Sequence, residues 1–249
     1  HPIKLLALVY IPFTLCLLIS SWITHCVIFK RPEIELGYTK KNIVKHTVLG
    51  GAISLGIIVL GFLILIAFDQ IDIIGTDYKI KMIGGFFLLF CVQSLSEEII
   101  FRAYLIPTIE RRLGIWAALI ISSLGFMLIH LGNNNVTGLA IANLVLGGVL
   151  MGLLFIKYRN IWAPTGMHIF WNYIQSTILG FEVSGEKTYS FLLQKEKGIE
   201  WITGGEFGYE GSIISVVLLC ITIILFWKMA DLGEILKFRF NKKLESIEA

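Results

Sequence analysis

Residues 93–107 read QSLSEEIIFRAYLIP and residues 125–130 read GFMLIH, and these two stretches decide how the chain is read. Both lie in apolar surroundings of membrane-spanning character. At about 2.5–3.5 kcal/mol per charge on insertion scales, Glu97, Glu98 and Arg102 together cost about 8–10 kcal/mol unless they are paired. On a helix Glu98 and Arg102 are four residues apart with the acid first, the favourable order for an ion pair. Glu97 projects about 100° away and is left over as a base. A purely structural lock between helices explains one acid and leaves the other unexplained. His130 follows beyond a turn expected at 111–114. If both arms are helical and antiparallel, Glu97 and His130 sit at equal depth, about 25 Å from that turn. His168 and Asn172, four apart, share one helix face further on.

The wider composition agrees with a membrane protein. The chain has 249 residues, 56% of them apolar, with a mean hydropathy of +0.78, too apolar for a soluble domain of this size. Seven apolar spans can be drawn, about 3–29, 47–68, 82–106, 115–134, 136–156, 161–181 and 212–230, which predicts an all-α polytopic bundle of about seven transmembrane helices. The run from Ile3 to Phe29 is too long for the apolar core of a signal peptide. Cys16, Cys26, Cys91 and Cys220 share no CxxC spacing and read as small interior residues. A net charge of +3 gives no reason to expect nucleic acid. The organisation expected is 1–80 as N-terminal helices, 81–181 as a core carrying the chemistry, and 182–249 as an outer loop, a last helix and a basic tail.

Lys and Arg are unevenly divided between alternate connections. One set, from Lys30 and Arg31 through Arg111, Arg112, Lys157 and Arg159 to the tail at Lys237–Lys243, outnumbers the other, which holds Lys4, Lys79, Lys81, Lys187, Lys195 and Lys197. The positive-inside rule puts the richer set in the cytoplasm, with the N-terminus outside and the C-terminus inside. The basic tail reads as an anchor on the membrane surface. Asp69, Asp72 and Asp77 read as a solvated turn, and the glycine-rich 204–211 as a tight re-entrant loop rather than a nucleotide loop, since no strand precedes it. In span five, Gly147, Gly148 and Gly152 allow a neighbouring helix to approach closely. Asn143 is an amide within the membrane without a partner to name.

Taken in order, Glu97-Glu98-x-x-x-Arg102, Phe126-x-x-x-His130 and His168-x-x-x-Asn172 resemble the three motifs of the CPBP family, also called Abi or type II CAAX-protease-like intramembrane endopeptidases. The likeness spans about residues 86–178, and Asn160-Ile161-Trp162-Ala163-Pro164 shares it. The resemblance implies an intramembrane protease in which Glu97 activates water and His130 orients it. His168 and Asn172 would hold the oxyanion, with Glu98, Arg102 and Phe126 in support. No cofactor and no metal are implied, and the partners are the lipid bilayer and a membrane-associated or lipidated peptide or protein. HExxH, GxGD and GxSG are all absent, which argues against zincin, aspartyl and rhomboid-like classes. Two rivals stand beside this reading. One is a non-proteolytic binding or bacteriocin-immunity protein, and the other is a hydrolase whose zinc is held by Glu97, His130 and His168. Zinc-bound histidines require outer acceptors, and the sequence names none for His130 or His168. Substrate is expected to reach the site from the cytoplasmic side.

Overall fold

The computed structural model describes residues 2–229, so the basic tail at Lys237–Lys243 lies outside the described residues. The longer helices are α1 Leu8–Ile28, α2 Ile43–Ala67, α3 Ile80–Leu113, α4 Ile115–His130, α5 Gly138–Tyr158, α6 Trp162–Asn172 and α7 Ile213–Met229. They form an all-α membrane bundle. Among the described residues, α1, α2, α3 and α5 are the helices both long and apolar enough to cross a bilayer unaided; α4 and α7 show 16 and 17 residues, and α6 is extended by a widened turn at Tyr173–Ile178. Helix length and composition alone therefore do not confirm the count of seven spans.

α3 is the axis of the site and runs through Pro107 instead of stopping before it. A proline within a helix lacks an N–H, and its ring collides with the carbonyl four residues back. The chain answers with a π-helical stretch at Ile99–Leu105, whose wider turns relieve that collision directly after the two acids. Gly114, with φ 91°, then breaks the helix and reverses the chain into α4.

Two glycines set how closely α2 and α6 meet. A side chain on Gly50 would strike the Ala163 carbonyl, and one on Gly166 would strike the Thr47 carbonyl. Ser54 Oγ donates to Met167 O at 2.5 Å across the same seam. Gly148 and Gly152 of α5 likewise face Ser123 and Leu119 of α4, whereas Gly147 faces open space. Gly166→Ala is expected to lower the unfolding temperature of the purified protein, by overpacking worth about 1–3 kcal/mol or more. An unchanged melt in detergent would show that this seam yields freely.

The two ends of the bundle differ. At the basic end Arg111 holds Glu35 through Nε and Nη2, Arg159 Nη2 reaches both Glu110 oxygens at 3.0 Å, and Trp162 Nε1 donates to Thr39 O at 2.6 Å. At the other end, where only a polar turn was expected, strand β1 Ile71–Thr76 pairs antiparallel with β2 Leu192–Glu196, Ile71 opposite Glu196 and Thr76 opposite Leu192. Lys197 Nζ ties Asp69 (2.6 Å) and Asp72 (3.2 Å) to this sheet. The segment after β2 drops Phe207 and Tyr209 into the bundle, where Tyr209 OH donates to Ile57 O at 3.2 Å.

Candidate active site

Glu98 and Arg102 are both fully buried, and Arg102 Nη1 donates to Glu98 Oε1 at 3.0 Å. Arg102 Nη2 also donates to the Gly148 carbonyl at 3.2 Å, and the guanidinium lies 4.7 Å from the centre of the Phe126 ring. The charge is thus met by an anion, a carbonyl and an aromatic face, which together offset its desolvation. The close approach of α5 at Gly148 is what brings that carbonyl within reach.

The same Glu98 oxygen serves a second partner. His168 Nδ1 lies 2.9 Å from Glu98 Oε1, so it carries a proton and donates it. Nε2 of His168 is thereby turned toward Glu97 Oε2, at 3.9 Å. On α4, His130 Nδ1 donates to Phe126 O at 2.8 Å, one helical turn back. This leaves His130 Nε2 with its lone pair toward the same Glu97 Oε2, also at 3.9 Å. Phe126 packs edge-on against His168, with ring centres 5.6 Å apart. Both histidines therefore have the outer acceptor that could not be named from sequence, and that objection to a metal falls. Among the described residues, however, no group of three or more His, Cys, Asp or Glu side chains is drawn together closely enough to hold a metal ion.

Glu97 Oε2 is buried and takes no hydrogen bond from the protein. It forms part of the wall of a cavity of about 590 Å³ that also includes His130, His168 and Asn172. Asn143 borders the same space and donates from Nδ2 to Ser215 Oγ at 2.6 Å, so its partner is on α7. An apolar groove between the start of α1 and the start of α3 shares Leu5, Phe86 and Leu89 with the cavity.

Sequence reasoning missed Glu210. Its carboxylate borders the cavity and accepts from Trp171 Nε1 at 2.8 Å, Ser184 N at 2.9 Å and Ser184 Oγ at 2.8 Å. It therefore fastens residues 183–188 over one side of the site. The only signal was an acid inside the glycine-rich 204–211, where Gly204, Gly205 and Gly208 have positive φ and fold the segment inward.

A family model described as type II CAAX prenyl endopeptidase Rce1-like matches residues 79–174. Over these residues the chain is similar to the CPBP, or type II CAAX-protease-like, family. No curated protein and no solved structure matches the chain. The CPBP match runs from just before α3 to just past Asn172, and so takes in Glu97, Glu98, Arg102, Phe126, His130, His168 and Asn172. Residues 183–188 and Glu210 fall outside it. The CPBP family is a protease family, and the apolar helices around this core make the chain a multi-pass membrane protein.

Proposed function

We propose that the protein is an intramembrane endopeptidase that hydrolyses a peptide bond of a membrane-associated or lipidated peptide or protein, using water activated by Glu97. The observation that carries this reading is the buried, unpartnered Glu97 Oε2 facing two histidine Nε2 atoms, each at 3.9 Å, on the wall of a cavity within the bundle. A water bound to Glu97 Oε2 can also donate to His130 Nε2, whose lone pair is free because Nδ1 holds the proton. Attack on the carbonyl carbon transfers a water proton to Glu97. The same proton then passes to the leaving amine.

The oxyanion needs donors, and Asn172 Nδ2 supplies one. His168 supplies another only as the imidazolium, because its Nδ1 proton is already committed to Glu98. The Glu98 carboxylate offsets that positive charge while it is also paired with Arg102. Glu98 is thus a positioning residue for the oxyanion side as well as an ion-pair partner. The direct test is incubation of purified protein with a peptide mixture, followed by mapping of products by mass spectrometry. No cleavage beyond that of a Glu97→Gln control would remove the proposal.

The outer acceptors on His130 and His168 favour one second reading, a zinc hydrolase with Glu97, His130 and His168 as ligands, which requires these side chains to draw together more closely than they stand here. Under the glutamate mechanism, turnover survives chelation in protein that holds substoichiometric metal. Stoichiometric zinc whose removal stops turnover, and whose return restores it, would establish the metal mechanism instead.

The proposed orientation has the N-terminus outside and the C-terminus in the cytoplasm, because Lys and Arg concentrate at the end of the bundle that holds Arg111, Arg112, Lys157 and Arg159. A reporter fused after Ala249 should then register as cytoplasmic and one inserted near Gly185 as external. The opposite pattern would invert the assignment.

A further inference from the structure

Two independent features give the bundle a direction. The first is charge. Among the described residues, ten Lys and Arg side chains lie at or next to the end holding Arg111 and Arg159, against six at the end holding the β1 and β2 sheet. Such an excess marks the first end as cytoplasmic.

The second feature is the path from Glu97 to water. The cavity is bounded by Tyr10, Phe86, Phe90, Asn133, Ser184 and Lys187, which belong to the sheet-side part of the bundle and its loops. No residue between 98 and 125, or between 152 and 166, borders it. On the basic side of Glu97 the interior is filled instead. Glu98 and Arg102 are fully buried there, followed by Phe101 at 4% exposure and by Ile106, Leu154 and Phe155 at 0%. A polypeptide reaching Glu97 from the basic end would have to displace this layer, at the several-kcal/mol cost of unpacking a core.

We infer that the site is reached from the face opposite the basic end, so that the protein acts on peptides or proteins presented on the extracytoplasmic side of the membrane. This departs from the expectation of cytoplasmic access. The depth of a residue along its helix does not say on which side of it the interior is packed. The inference rests on the endopeptidase reading for the identity of what enters, while the direction of access stands on geometry alone.

The test is sided chemical modification in the full-length protein, with Cys16, Cys26, Cys91 and Cys220 replaced by alanine. Gly147→Cys reports from inside the cavity, because nothing lies within 4 Å of a side chain added there. Lys187→Cys, exposed at the rim, is a second reporter should the first fail to fold, and Lys40→Cys marks the opposite end. A charged, membrane-impermeant methanethiosulfonate is expected to modify Gly147→Cys and Lys187→Cys from outside intact cells, and Lys40→Cys only in inside-out vesicles. Modification of the cavity reporters only from the cytoplasmic side overturns the inference, and so does a folded Gly147→Cys that reacts from neither side. Cleavage of a soluble peptide separates this from the functional reading. Turnover in detergent but none when the peptide is added outside right-side-out proteoliposomes sinks the inference and spares the endopeptidase. Absence of turnover in detergent sinks the endopeptidase and leaves the labelling result standing.

Discussion

Glu97→Gln is expected to remove peptide cleavage while leaving the protein inserted and folded. The amide keeps the shape of the side chain and cannot accept the proton of an attacking water, and loss of a positioned base costs about 10²–10⁴-fold in rate. Folding should be indifferent, because Glu97 Oε2 takes no hydrogen bond from the protein and the nearest histidine nitrogens lie 3.9 Å away. The yield and melting temperature of the variant should therefore match those of the parent protein. Turnover within a few fold of the parent would show that another group activates the water. Because the substitution is isosteric, such a result could not be blamed on a collapsed site.

Arg102→Ala should do the reverse and damage stability first. It takes the guanidinium from the fully buried Glu98 carboxylate and leaves the Gly148 carbonyl without that donor. Breaking a buried pair from one side costs about 3–5 kcal/mol, a large part of the stability of a single domain. Thermal unfolding of the purified variant in detergent measures this, and a melt equal to that of the parent would refute the pairing. Glu98→Leu combined with Arg102→Met separates stability from chemistry, since replacing both charges by apolar groups of similar size is often close to neutral. The double variant should regain most of the melting temperature yet stay inactive, because His168 Nδ1 has lost the acceptor that turns its Nε2 toward Glu97. Recovery of both stability and turnover would mean that Glu98 has no role in positioning His168.

The sequence by itself determined the membrane bundle, the cost of Glu97, Glu98 and Arg102, and the uneven charge of the connections. Each follows from an energy that one segment carries alone: the apolar run long enough to enter lipid, the i,i+4 spacing of an ion pair, or the sign of a loop. The turn at Gly114 was legible for the same reason, as a helix-breaking glycine after two arginines.

Only the tertiary structure decided the rest, since it depends on groups far apart in the chain. Glu98 and His168 are 70 residues apart, so nothing local says that one carboxylate oxygen serves both Arg102 and His168. The tautomer of each histidine is set by what its Nδ1 meets, a carboxylate from α3 for His168 and a carbonyl of its own helix for His130. The Asp69 to Asp77 stretch forms a strand because β2, more than a hundred residues later, offers it a ladder. Glu210 borders the cavity because glycines with positive φ fold its segment back beneath Trp171 and Ser184. The direction of the cavity was least accessible to sequence, because helix periods give depth and facing, whereas an opening is a place where side chains from several helices fail to meet.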